Sequence, residues 1–199
     1  MKSVKTIIGL SIIVLMAAAS PFAFAQAAHV RWDIVSVNFS PPFTTKAGGV
    51  ASATAKDGSY ITMTGSGTFV APAGGSGTSS ATTGGGTWTT FDSGGVMTGT
   101  GTYEVAGLVR WNPAPFPPGG PPPRIDLIDP SAMRSTGLAV LRITYSDGEH
   151  GILVVSCTGV TAPAFMFEGI TATKKFTDYK SPVPPVLGVD GNRTLFHVE

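Results

Sequence analysis

Residues 137–157 read Gly137-Leu-Ala-Val-Leu-Arg-Ile-Thr-Tyr-Ser-Asp-Gly-Glu-His-Gly-Ile-Leu-Val-Val-Ser-Cys157, two apolar runs flanking Ser146-Asp147-Gly148-Glu149. Runs of this length around Asp-Gly predict a β-hairpin, because Asp-Gly accepts the positive φ angles of a tight turn. A two-residue loop sets Tyr145 opposite His150 and Ile143 opposite Ile152. It puts Leu138, Val140, Arg142, Leu153, Val155 and Cys157 together on the other face. Both faces are largely apolar, which places the hairpin at the centre of the fold.

The same period-two alternation spreads outward, and no segment after residue 25 carries a 3.6-residue stripe. Val30, Trp32 and Ile34 alternate before Val35, Val37 and Phe39 take the opposite phase, a switch expected of a β-bulge. Pro41-Pro42 then ends the strand for want of amide donors. Further strands are expected near 47–55, 58–70, 84–92, 96–111, 136–146, 150–158, 164–177 and 193–198. About nine short strands between Gly, Pro, Asp and Ser turns predict an all-β fold. The expected architecture is one domain over residues 26–199, an antiparallel β-sandwich or a strongly curved β-barrel. A Gly/Ser/Thr-rich stretch from Ala73 to Thr87 reads as a mobile loop, and Asn112–Pro123 as a stiff Pro-rich surface loop that excludes strand pairing. Asp129-Pro130-Ser131-Ala132-Met133 reads as a capped single helical turn.

One internal echo stands out: MTGSGTF at 63–69 returns as MTGTGTY at 97–103. Met, the two glycines and the aromatic residue share one face, and Thr or Ser the other. Glycines two apart let a strand bend, or let a ring lie across it. Long strands bent at glycines resemble those of small cyclase-type and lipocalin-like barrels, a likeness of architecture alone.

Of 199 residues 42% are hydrophobic and 13% charged, with a formal net charge of +1. That balance excludes a long coiled coil and a nucleic-acid binder with a basic face. Residues 1–25 carry Lys2 and Lys5, an apolar run from Ile7 to Ala19 and Ala23-Phe24-Ala25 before Gln26. These are the marks of a secretory signal peptide cleaved after Ala25, so the protein is expected in the periplasm or outside a bacterial cell. No stable membrane insertion is expected: no later stretch is long and apolar enough for a helix, and strands alternating Thr with Gly do not make the outward apolar band of a membrane barrel. The lone cysteine, Cys157, ends an apolar run and reads as a small buried hydrophobe.

The chemistry is sparse. Gly-x-Ser-x-Gly, phosphate-loop, dinucleotide and zinc-ligand patterns are absent, so no metal or cofactor is expected. His197 with Glu199, and Asp190 with Asn192, make only two-residue pairs. Arg142 and Glu168 interrupt apolar strands, and a buried charge demands a partner. Either they pair with one another or reach the sheet rim, or they line a cavity with Tyr145, His150 or Glu104, in which a carboxylate of raised pKa serves as acid or base. Thr62, Thr64, Ser66 and Thr68, with Thr98, Thr100 and Thr102, make adjacent hydroxyl ladders if their strands pair. Flat threonine arrays suit ice, and polar sheet faces near aromatics such as Trp88 and Trp111 suit glycans. The first expectation is therefore a non-catalytic exported protein that binds a small ligand, a glycan or another protein. The second is a small barrel enzyme or ligand carrier built around Glu168, Arg142 and His150.

Overall fold

The computed structural model describes residues 27–72, 77–114, 116, 123–159, 162–164, 166–182, 184–189 and 191–199. The expected signal peptide, Asp190 and most of the Pro-rich loop lie outside them. Thirteen strands are described, and no helix: β1 (Ala28–Asn38), β2 (Thr44–Ala47), β3 (Ala51–Thr54), β4 (Tyr60–Met63), β5 (Ser66–Ala71), β6 (Thr82–Phe91), β7 (Met97–Ala114), β8 (Ile125–Asp126), β9 (Met133–Tyr145), β10 (His150–Cys157), β11 (Gly169–Lys174), β12 (Thr177–Tyr179) and β13 (Thr194–Val198).

Six of them close a barrel in the order β1-β5-β6-β7-β9-β13 and back to β1. Strands from before and after the Pro-rich stretch thus share one wall. Two wings leave the barrel where a long strand outlasts its neighbour: β10-β11-β12 continue from β9, and β4-β3 from β6. The wings meet at a bridge between Thr54 and Ser181, where the Thr54 amide donates to the Ser181 carbonyl at 2.9 Å. Register shifts at Val105/Gly107 and Leu108/Arg110 on β7 are bulges that turn this 18-residue strand around the barrel.

The barrel interior is filled. Trp32, Phe69, Tyr103, Leu108, Trp111 and Phe196 are all buried there, and the Trp111 ring lies 4.6 Å from Phe196 and 5.5 Å from Phe69, centroid to centroid. Burial of whole aromatic side chains on this scale supplies the driving force for closure. Cys157 is buried in the same core.

Several local expectations need correction. The β9–β10 loop has three residues, not two: the Tyr145 amide donates to the Glu149 carbonyl at 2.8 Å, and Gly148 takes φ +87°. Leu153 therefore faces Leu141, and Ile152 faces Arg142, one residue off the expected register. In consequence Leu153, Val155 and Cys157 share the inner face with Leu141, Ile143 and Tyr145, and Arg142 points out. The phase switch in β1 is no bulge, since its pairing with β5, β13 and β2 is regular. Val35 and Val37 face outward into a second, smaller core with Leu195 and Ile128 under the β2–β8 flap.

Residues 82–87 belong to β6 rather than to a mobile loop, with Gly84, Gly85 and Gly86 in mid-strand. Pro113 lies inside β7 opposite Gly137. Only one side of β7 is paired there, so a residue without an amide proton is tolerated. Asp129 caps a turn, not a helix, its Oδ1 accepting from the Ser131 and Ala132 amides at 3.2 Å.

Candidate functional site

The four residues singled out from the sequence do not converge. Arg142 is exposed, lying over Gly107 of β7, where an added Cβ would stand 2.7 Å from its Nη2. His150 is exposed too, its Nδ1 3.2 Å from the Thr144 hydroxyl. Glu104 is level with Thr144, so Arg142, His150 and Glu104 share one outer sheet face. Glu168 stands elsewhere: its Oε2 accepts from the Thr158 amide and its Oε1 from the Thr194 amide, each at 2.9 Å. Burial raises the Glu168 pKa, against the pull of those amides. The Thr194 hydroxyl also donates to the Glu168 Oε1 at 3.4 Å, and together these bonds clamp the end of β10 to the start of β13.

Tyr145 points inward, donating its hydroxyl to the Thr173 carbonyl at 2.9 Å, and burial raises its pKa. It is the one member of the set that reaches a built polar site. That site lies at the turn end of the wings, where a pocket of about 230 Å³ is lined by Trp88, Thr90, Thr98, Asp147, Lys174 and Tyr179 among others.

Lys174 is its centre. Period two along β11 turns Ile170, Ala172 and Lys174 inward together, which leaves the lysine only 7% exposed. Its Nζ sits 4.3 Å from the centroid of the Trp88 ring and 4.5 Å from that of Tyr145. The two rings meet edge to face at 5.6 Å, so the cation occupies the notch between them. The third wall is Asp147, which accepts a hydrogen bond from Nζ and forms an ion pair with it. That bond holds the Asp147 carboxyl below the usual carboxylate range.

Each part is fixed by its neighbours. The Trp88 Nε1 donates to the Thr102 carbonyl at 3.0 Å, and Gly99 and Gly101 of β7 leave room for its indole. The turn that carries Asp147 is tied to β7 by Ser146, whose amide donates to the Thr102 carbonyl at 2.8 Å and whose Oγ accepts from the Thr102 amide at 3.0 Å. Beyond Lys174 the chain reverses at Lys175, with φ +53°. The pocket therefore offers donors from Lys174, an acceptor in Asp147, and hydroxyls of Thr90 and Thr98 that lie 2.9 Å apart. The sequence carried one signal for it, the inward phase of Lys174 with Ile170 and Ala172. Its partners on β6, β9 and the β9–β10 turn are brought in by long-range pairing.

A second buried polar group lies under the flap. His197 of β13 turns to Asp126 of β8, Nε2 to Oδ2 2.7 Å, rather than to Glu199. Nearby, Arg31 grips the buried Asp33 with Nε and Nη2 at 2.8 and 3.0 Å. Among the described residues no three His, Cys, Asp or Glu side chains gather as metal ligands. Trp88 and Trp111 are both buried in the core, so neither flanks the threonine face as a glycan platform.

The fold and site together define a closed all-β barrel with two wings and a lysine boxed by aromatic rings at their turn end. Compared with protein-family models, with curated proteins and with solved structures, the chain matches none.

Proposed function

We propose that this is an exported, non-catalytic binding protein that holds a small, uncharged, hydroxyl-rich ligand at the turn end of its wings. The observation that carries this is the boxed Lys174 beside Asp147. A cation and a carboxylate that neutralise each other, next to paired threonine hydroxyls, alternate donors with acceptors as vicinal hydroxyl groups do. The volume of about 230 Å³ lies below the ~300–1,000 Å³ of drug-sized sites, which suits a ligand the size of a monosaccharide. Export rests on the basic start, apolar run and Ala-x-Ala of residues 1–25.

The test is a thermal-shift series with monosaccharides and linear polyols against monocarboxylates of similar size. A ligand of this class at about 100 times its Kd stabilises the native state by about 2.7 kcal/mol. Thr98→Val, a substitution at the pocket wall, is expected to weaken binding while leaving the apo Tm within a few degrees. No shift with any polyol, or a carboxylate that binds better than every polyol, refutes the reading.

A further inference from the structure

Threonine is gathered on the outer side of the sheet that carries Trp88 on its inner side. Thr62, Thr89 and Thr100 stand level across β4, β6 and β7. In the next rank Thr87 and Thr102 are cross-strand partners, and the Thr64 hydroxyl reaches that of Thr87 at 2.7 Å. Thr68 and Thr83 continue the face along β5 and β6, their hydroxyls also 2.7 Å apart. The strands that carry the internal echo do not pair with each other, as the expected ladders required. β6 lies between them and supplies the middle column, Thr83, Thr87 and Thr89. Two Thr-x-Thr pairs, Thr87 with Thr89 on β6 and Thr100 with Thr102 on β7, thus stand side by side in register, flanked by Thr62 of β4 and by Thr64 just past its end, where the Thr87 amide donates to the Thr64 hydroxyl at 3.1 Å.

We propose that this face binds the surface of ice. Sheet geometry sets the columns about 4.8 Å apart and the ranks about 6.8 Å apart, a two-dimensional grid of hydroxyls and methyls. Such a grid offers water a repeated set of hydroxyls and methyls rather than a single cluster of the size of one solute. Hydroxyl contacts across the strands, including Thr89 to Thr100 at 3.1 Å, fix the side chains before contact and reduce the entropy lost on binding. The Thr100 hydroxyl also donates to the Trp88 carbonyl and the Thr64 hydroxyl accepts from the Thr87 amide, each at 3.1 Å, which leaves each of these two one hydrogen-bonding site for water.

Charge is complementary as well: the six positions of the two ranks bear none, as an uncharged lattice requires, and Glu104 lies one rank beyond. The backing is stiff, because the Trp88 ring fills the space behind Gly99 and Gly101. A glycan calls for an open aromatic face. Trp88 is buried behind the threonines, and the nearest pair, Tyr60 and Phe91, stacked at 4.6 Å, stands one rank outside them at the edge of the array.

The experiment is ice growth in the presence of the purified protein, read as crystal shape and as inhibition of recrystallisation. The wild type is expected to give faceted crystals. Thr100→Tyr and Thr89→Tyr, which keep strand propensity but break the plane, are expected to lose about tenfold or more in recrystallisation inhibition. Thr100→Val removes one hydroxyl with little change of shape, and serves if a tyrosine variant fails to fold. Lys46→Tyr on β2 is expected to retain full activity, with circular dichroism confirming that each variant is folded. Unshaped crystals with folded wild type, equal activity in all folded variants, or retention on cellulose or chitin that needs the same threonines without ice shaping would overturn the proposal. None of these readouts depends on the Lys174 pocket.

Discussion

Trp32 on β1 and Gly67 on β5 are cross-strand partners, and a Cβ on Gly67 would stand 2.9 Å from the Trp32 Nε1 and 2.2 Å from the Thr83 carbonyl oxygen. The glycine lets the fully buried indole and the β6 backbone approach the same point of the barrel wall. Glycine is required there for space.

Gly67→Ala is accordingly expected to destabilise the protein by about 2–4 kcal/mol, since a backbone oxygen must move to make room. At this chain length that lowers Tm by roughly 5–15 °C. Gly148→Ala probes a different constraint: the space is open but φ is +87°, so a smaller loss of about 1–2 kcal/mol is expected. Differential scanning calorimetry of the two variants ranks them. Equal losses would show that space in the wall does not set the larger penalty.

Glu168 makes a pH prediction whose sign follows from burial. Its folded pKa is raised above the unfolded value, so its contribution to stability is fully present below the ordinary glutamate value of about 4.3 and is lost as pH rises through the folded value. Glu168→Gln abolishes this titration. It also leaves one of two backbone donors, Thr158 or Thr194, facing an amide group, at a cost of about 1–3 kcal/mol. The Tm advantage of wild type over variant is expected to be largest near pH 4 and to shrink toward neutral pH. An advantage that grows with pH would contradict burial as the dominant influence on Glu168.

Asp126 behaves in the opposite sense. Burial pushes its carboxyl up, but the hydrogen bond with His197 and the Ile128 and Asp129 amides outweigh it, and the pKa is lowered. Its contribution is therefore present above the ordinary aspartate value of about 3.9 and is lost as pH falls through the folded value. Asp126→Asn is expected to lose about 1–3 kcal/mol at pH 7 and to show a shallower fall in Tm below pH 4 than wild type. Parallel melting curves from pH 2 to 7 check this, and identical slopes on the acid side would remove Asp126 from the account.

Much of the fold was legible because strand patterning is local. Alternation in residues 137–157 and the Asp-Gly turn located β9 and β10, and the paired glycines of the echo marked where aromatic rings cross. The register was not legible, because a two-residue and a three-residue loop around Asp147-Gly148 use the same residues. One residue of difference sent Arg142 outward and took it from any cavity. Val35 and Val37 looked like a bulge because a strand covered on both sides has no clean period, and of what covers them only β2 is close in the chain, whereas β8, Ile128 and Leu195 are far along it. Of the candidate site Tyr145 was singled out from sequence as a ligand-binding residue, and Trp88 and Thr98 only as parts of a polar sheet face. Lys174 carried its inward phase, but a lysine at a strand end looks no different when it is solvated.

What the sequence by itself determined is therefore the class and grain of this protein: all-β, bent at glycines, sparing in charge, and without the residue patterns of the common catalytic or metal sites. Those are properties of short windows, in which side-chain period and backbone freedom are decided by neighbours in the chain. Only the tertiary structure decided that β6 threads between the echoed strands to complete the threonine grid, and that Lys174 lies between Trp88 and Tyr145 against Asp147. Both depend on pairings between residues tens of positions apart, selected by burial of the whole aromatic core.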